Sequence, residues 1–260
     1  MARLPRLVIA KHLHYLIARG HNDQPVFLDE ADYQHFLNWL REAAQRLGVA
    51  IHAYALLPNR LHLLATPGDE LALSKMMQAV GRHYVPYFNA RHDRSGSLWE
   101  GRFRATVVEA DRYFSHCAHL IEYQPLLAGL STDISAYRWS SHAHHVGLIK
   151  QAWLSDHPAY WQLGNTPFER EAAYQQLCSV PPEASQAASI DQATHKAWAL
   201  GSEAFRRSLT KLTERRLEPA KRGRPSKSPD EVTRSLAATP ASVANPVRNR
   251  APRRTPPKAV

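Results

Sequence analysis

The chain has 260 residues, with 33 Lys+Arg against 23 Asp+Glu and a formal net charge of +10. Its hydrophobic fraction of 44% is enough for a globular core and excludes a wholly disordered chain. No apolar run reaches the roughly 18–20 residues that cross a bilayer, and the two cysteines, Cys117 and Cys178, form neither a disulfide framework nor a CxxC metal motif. The expectation is a cytoplasmic protein with no membrane partner. Most of the positive surplus lies between Glu218 and Val260, which hold ten Lys/Arg and three Asp/Glu. Such charge favours a polyanionic partner without choosing among them.

In chain order, Leu7–Ala18 reads as a strand ending at Arg19-Gly20. Asp29–Leu47 follows with apolar residues at helical spacing and Asp29 as its N-cap. Val49–Leu57 is strand-like and stops at the turn signal Pro58-Asn59, so that Leu61–Thr66 forms the second arm of a hairpin. Leu71–Asn89 is helical, Arg102–Val108 is a fourth strand, and Asp111–Leu127 is a further helix with Asp111 as its expected cap. The first six elements give an α+β, ferredoxin-like split βαβ fold, an antiparallel sheet with helices on one face. Helical stretches follow at 167–180 and 188–216. From Glu218 onward, eight prolines and few aromatics describe a disordered basic tail. The expected division is 1–147, a helical extension at 148–217, and the tail at 218–260.

Several ordered motifs carry a family resemblance: MARLPRLVI at Met1–Ile9, RGHNDQPVF at Arg19–Phe27, VAIHAYALLPN at Val49–Asn59 and HLLATP at His62–Pro67. GSLWEGRFRATVVEADRYF at Gly96–Phe114 and YRWSSH at Tyr137–His142 continue the series, with WALGSEAFR at Trp198–Arg206 and KRGRPSK at Lys221–Lys227 near the end. Through them the chain resembles the REP-associated tyrosine transposases, a branch of the single-tyrosine HUH superfamily with a Y1 transposase domain. The resemblance implies DNA transposition on a nucleoid-associated protein. Its members bind single-stranded or hairpin DNA and cut and rejoin it through a tyrosine–phosphate ester. It also implies a divalent cation, Mg or Mn, held by a His-x-His pair and a polar residue on the tyrosine helix.

Two positions depart from that pattern. Where the family reads Pro-Asn-His-x-His, this chain reads Pro58-Asn59-Arg60-Leu61-His62, so Arg60 replaces the first ligand. A guanidinium stays protonated and repels a cation. Where the family reads Tyr-Ile-Glu-x-Asn-Pro, this chain reads Leu120-Ile121-Glu122-Tyr123-Gln124-Pro125. Leu120 stands at the nucleophile position, and Gln124 at the polar ligand position. The reading is a DNA-binding protein with tyrosine-dependent cleavage impaired or lost. Tyr123, and more distantly Tyr113, are the substitute nucleophiles to weigh. A different class of function is a structural or regulatory module for RNA or a protein partner.

Basic residues interleaved with aromatics suit single-stranded nucleic acid. On this ground Arg82, Arg91, Arg102 and Arg104 join Arg60 as candidate DNA contacts, near Tyr84, Tyr87, Phe88, Trp99 and Phe103, whose alternative is burial. Arg222 and Arg224, in Lys221-Arg222-Gly223-Arg224-Pro225, resemble an AT-hook core for A·T-rich duplex. His142, His144 and His145 have no carboxylate or thiolate nearby in sequence, so a solvated loop is expected. Nothing in the sequence chooses between monomer and dimer.

Overall fold

The computed structural model describes residues 6–218, which lie within one compact unit. The tail beyond them, including Arg222 and Arg224, is outside the described residues. Strands β1 (Leu13–Arg19), β2 (Val49–Leu57), β3 (Arg60–Pro67) and β4 (Arg104–Val108) form one antiparallel sheet in the order β2-β3-β1-β4. With α1 (Glu30–Arg46) and α2 (Ala72–Arg91), this is the split βαβ arrangement.

Strand alternation divides the sheet into two faces. Leu16, Ala18, Leu61 and Leu63 pack with α1 and α2 residues such as Phe36, Leu40, Met76 and Tyr84 in one core. Leu13, Tyr15, Leu64 and Ala55 turn to the opposite face, into a second core with Phe114, Ile121 and Tyr174. That face is covered by α3 (Ala110–Leu127) and the later helices α6 (Pro167–Cys178) and α7 (Ala184–Lys196), with two single-turn helices, α4 (His142–His145) and α5 (Pro158–Trp161), between them. The helices expected on one face are α1 and α2. The third helix takes the other face.

Several local readings need correction. Leu7–His12 is not strand, because Lys11 sits at a positive φ of 60° and breaks the extended chain before Leu13. Asp111 lies inside the first turn of α3 rather than at its cap, which is Glu109. Asp29 does cap α1, accepting from the Asp32 amide. The single helix expected over 188–216 is two, α7 and α8 (Glu203–Leu209). Ala197 adopts a φ of 52°, and Leu200 then bridges alongside Val108 of β4 before Ser202 caps α8.

Two buried histidines join the sheet to its surroundings as neutral rings. His14 uses Nδ1 toward the His12 carbonyl at 2.7 Å and accepts the Ile9 amide on Nε2 at 3.1 Å. His52 places Nδ1 2.6 Å from the Ser155 carbonyl and Nε2 2.9 Å from Thr66 Oγ1. A carbonyl can only accept, so Nδ1 carries the proton in both rings. Burial is the main reason that both pKa values fall to about 4. The unfolded chain takes up these protons near pH 6.5 and the folded chain does not. Stability is therefore expected to fall as pH drops from 6.5 toward 4, with a slope from this pair of up to about 2.7 kcal/mol per pH unit. Urea unfolding at pH 7, 6 and 5 measures it, and His52→Gln should remove about half of the slope. A flat profile would show that the folded protein accepts these protons.

Candidate functional site

A cavity of about 340 Å³ opens between the sheet, α3 and α7. Its floor follows from strand register. Ile17 of β1 pairs with His62 of β3 on one side and Arg104 of β4 on the other, and Arg19 pairs with Arg60. Positions two apart on a strand share a face, so Tyr15, Arg19, Arg60, His62 and Arg104 all reach this side and line the cavity, with Arg102 just before β4. Leu120 and Gln124, one helical turn apart on α3, form the wall. Thus Arg60, His62, Leu120, Gln124, Arg102 and Arg104 line one cavity.

His62 is 4% exposed. Its Nδ1 lies 2.9 Å from the hydroxyl of Tyr15, and its Nε2 is buried with no hydrogen-bond partner. Burial first, then the positive charges of Arg60 and His195, lower its pKa to about 3. Burial likewise pushes the Tyr15 phenol well above its usual value. The pair is a neutral phenol on a neutral imidazole.

The rim is cationic and held in place by acids. Asp23 Oδ1 accepts from Arg19 Nε at 3.0 Å and Asn59 Nδ2 at 2.5 Å, and lies 3.6 Å from Arg60 Nη2. The hydrogen bond from Arg19 is the main reason the Asp23 carboxyl titrates below its usual range. Asn22 and Asp23 reach this position through left-handed backbone in a single 3-10 turn. Arg104 Nη1 donates to the His195 carbonyl at 3.0 Å, fastening the end of α7 to β4. Helix α7 adds Asp191 and His195 to the cavity, 3.2 Å apart as an ion pair when the imidazole is protonated.

These residues do not fit the divalent cation that the resemblance implies. The orphaned Nε2 of His62 is a suitable donor, and Gln124 offers a neutral oxygen. The position two residues from His62 is a guanidinium, however, and Arg19, Arg102 and Arg104 line the same space. Mg and Mn favour carboxylate, carbonyl and water oxygens; Glu100 and Asp191 also line the cavity, but four guanidiniums outnumber them there and one stands two residues from His62.

Other sequence candidates lie elsewhere. Arg82 is exposed on α2, and Arg91, on the same helix, pairs with Asp29 at 2.5 Å and donates to Tyr87 at 2.7 Å. Neither lines the cavity. Tyr84 and Phe88 are core residues. Tyr123 packs against the second core, its ring edge-on to His119 at 5.5 Å, and Tyr113 packs there too.

The histidine cluster is not a solvated loop. His142 and His145 are buried on Glu122, 20 and 23 residues earlier. The Glu122 carboxylate accepts from Ser141 Oγ at 2.5 Å, His145 Nδ1 at 2.6 Å, Tyr174 Oη at 2.9 Å and His142 Nδ1 at 3.2 Å. Ligand atoms of Glu122, His142 and Cys178 fall within 4.8 Å of one another, the one such group among the described residues. Sequence reading missed Tyr15, Asp23, Asp191, His195 and this network. Only the Ile-Glu and Ser-Ser-His motifs pointed toward it.

Residues 9–124 match the model of the IS200-like transposase family. No curated protein sequence matches the chain. Among solved structures, it is similar to a REP-associated tyrosine transposase bound to a REP hairpin. The identity is 18% over 61% of this chain and 96% of that one, with a TM-score of 0.47. It is also similar to a transposase-type protein of Deinococcus radiodurans R1, at 21% identity over 51% of this chain and 100% of that one, with a TM-score of 0.33. The stretch that matches the IS200-like transposase family, residues 9–124, holds the sheet, Arg60, His62, Leu120 and Gln124.

Proposed function

We propose that this chain is a REP-associated-type transposase protein that binds single-stranded or hairpin DNA through the arginine-lined cavity and has lost tyrosine-dependent strand cleavage and transfer. The observation that carries the reading is the wall of that cavity. Leu120, which has no nucleophilic atom, lines it together with Gln124, Arg60 and His62, and the sequence resemblance aligns Leu120 with the family's tyrosine. Guanidiniums can hold phosphate oxygens directly, so Arg19, Arg60, Arg102 and Arg104 retain affinity for a DNA backbone without a cation. A solved relative described as bound to a REP hairpin suits the same partner. The Arg222–Arg224 segment adds a second contact, to A·T-rich duplex.

The alternative of a substitute nucleophile is weaker on the same geometry. Tyr123 does not line the cavity. Tyr15 does, but its phenol is raised by burial and its partner His62 is lowered to about 3, so the imidazole is a poor acceptor for the phenolic proton.

Incubation with a hairpin library in Mn²⁺, followed by denaturing electrophoresis, is expected to give retained noncovalent DNA and no covalent adduct. Restoring both positions with Arg60→His and Leu120→Tyr should produce an adduct that needs the metal. A covalent product from the native chain would overturn the reading.

Salt dependence tests the binding mode. Arg102→Ala and Arg104→Ala should each reduce the slope of log K against log salt by about 0.7 on a single strand. Asp23→Asn, which releases Arg19 and Arg60 from a shared carboxylate, should tighten binding at low salt. Filter binding across a salt series measures all three, and unchanged slopes would place the phosphates elsewhere.

A further inference from the structure

The hydrogen-bond network around Glu122 is also a set of metal donors. It lies on the side of α3 away from the arginine-lined cavity. Three elements meet there: Glu122 comes from α3, His142 from α4, and Tyr174 and Cys178 from α6. Tyr174 and Cys178 are four residues apart, so they share one face of α6. Glu122 and Tyr174 are 0% exposed, His142 2% and Cys178 5%. A carboxylate, an imidazole and a thiol buried in one place combine the three donor types of zinc sites.

The two carboxylate oxygens have different surroundings. Oε1 accepts the short bonds, from Ser141 Oγ at 2.5 Å and His145 Nδ1 at 2.6 Å. Oε2 accepts from Tyr174 Oη at 2.9 Å and from His142 Nδ1 at 3.2 Å, the longest of the four. Tyr174 is hydrogen-bonded to Cys178 as well, so Oε2 shares this partner with the thiol. The ligand atoms of Glu122, His142 and Cys178 lie within 4.8 Å of one another. Donors around a tetrahedral zinc stand about 3.3–3.6 Å apart, so closing the set takes side-chain shifts of about 1 Å and gives up one long hydrogen bond.

Charge favours the same ion. Glu122 brings one negative charge into the interior, and its ion-pair partners are imidazoles. Zn²⁺ with one carboxylate, one thiolate and one neutral imidazole sums to zero, which removes a net charge from a dry site. Mg and Ca take oxygen ligands and have no use for a thiolate.

We propose that Glu122, His142 and Cys178 form a structural zinc site that fastens α6 to α3 and α4. Zn²⁺ binds Oε2 of Glu122, Nδ1 of His142 and Sγ of Cys178, with the Tyr174 hydroxyl as the fourth, neutral donor. Ser141 and His145 hold Oε1 and orient the carboxylate from behind. Uptake releases the thiol proton to solvent, and His142 keeps its ring proton on Nε2. The site is independent of the DNA-binding reading and stands or falls without it.

The test uses the full chain, stripped with chelator and titrated with Co²⁺ alone. One equivalent should produce tetrahedral d–d absorption and a thiolate-to-cobalt charge-transfer band, and Zn²⁺ should abolish both. Cys178→Ser should lose the charge-transfer band and weaken zinc affinity by more than about 100-fold, the upper end of what losing an orienting partner alone costs. Cys117→Ala, at the other buried thiol, and His62→Gln, in the arginine-lined cavity, should keep the band. On the native chain, X-ray absorption at the zinc edge should show one sulfur at about 2.3 Å among lighter ligands, a readout that stands even where a variant fails to fold. A shell of nitrogen and oxygen alone, no cobalt spectrum at one equivalent, or a band that survives in Cys178→Ser or vanishes in folded Cys117→Ala would overturn the site.

Discussion

The α3 side of this protein depends on one buried carboxylate. Glu122 is fully excluded from solvent, and an unpaired charge in that position costs several kcal/mol. Burial alone would raise its pKa, but the imidazoles of His145 and His142 outweigh it and hold the carboxyl well below the usual range. Its partners come from the segment 141–145 and from Tyr174 of α6, and Ser141 also exchanges hydrogen bonds with the Tyr54 backbone of β2. One side chain thereby sets the rotation of α3 above the sheet. Residues two before and two after Glu122 lie about 200° round the helix. Leu120 and Gln124 therefore face away from the network and into the cavity. The network that keeps the helix in register also turns Leu120 and Gln124 into the cavity.

The cavity is completed by chain that lies outside the matched family domain. After α7, Leu200 donates its amide to the Val107 carbonyl and accepts from the Glu109 amide, both at 2.8 Å. Glu109 then holds Ser202 through both its amide and its hydroxyl. This short pairing along β4 carries α7 across the strand ends that α3 leaves open. Asp191 and His195 enter the site from there. The later helices are thus part of the site's architecture, and the carboxylate of Asp191 offsets some of the positive charge from the sheet.

The sequence reveals local elements wherever a local signal closes them. Val49–Leu57 is bounded by Gly48, at a φ of 63°, and by Pro58-Asn59, so its limits are legible. The site motif is legible for a similar reason, because alternation alone places Arg60 and His62 together. Lys11 and Ala197 carry no such signal. Both adopt positive φ in side chains that rarely do so, and each ends an element that pattern would extend. Arg82 and Arg91 share the basic–aromatic spacing of Arg102 and Arg104, yet they do not line the cavity, because the face of α2 that packs on the sheet turns them elsewhere. The Asp23–Arg60 and Glu122–His145 pairings join residues far apart in sequence, and local spacing has no means of encoding them.

A guanidinium at residue 60, where the family pattern has a neutral imidazole, brings a fixed positive charge and a different chemistry. A metal ligand is useful because the cation it holds polarises a phosphoryl oxygen and can be shared with a departing group. Arg60 offers fixed hydrogen-bond donors, steered by Asp23 and Asn59 to the cavity rim. Such donors hold phosphate oxygens directly. The isobutyl group of Leu120 brings no nucleophilic atom to the α3 wall of the cavity. In the proposed function, affinity for a strand and the ability to cut it are separate properties, because the first is assigned to arginines distributed over three strand ends and the second to the two positions, 60 and 120, that depart from the family pattern.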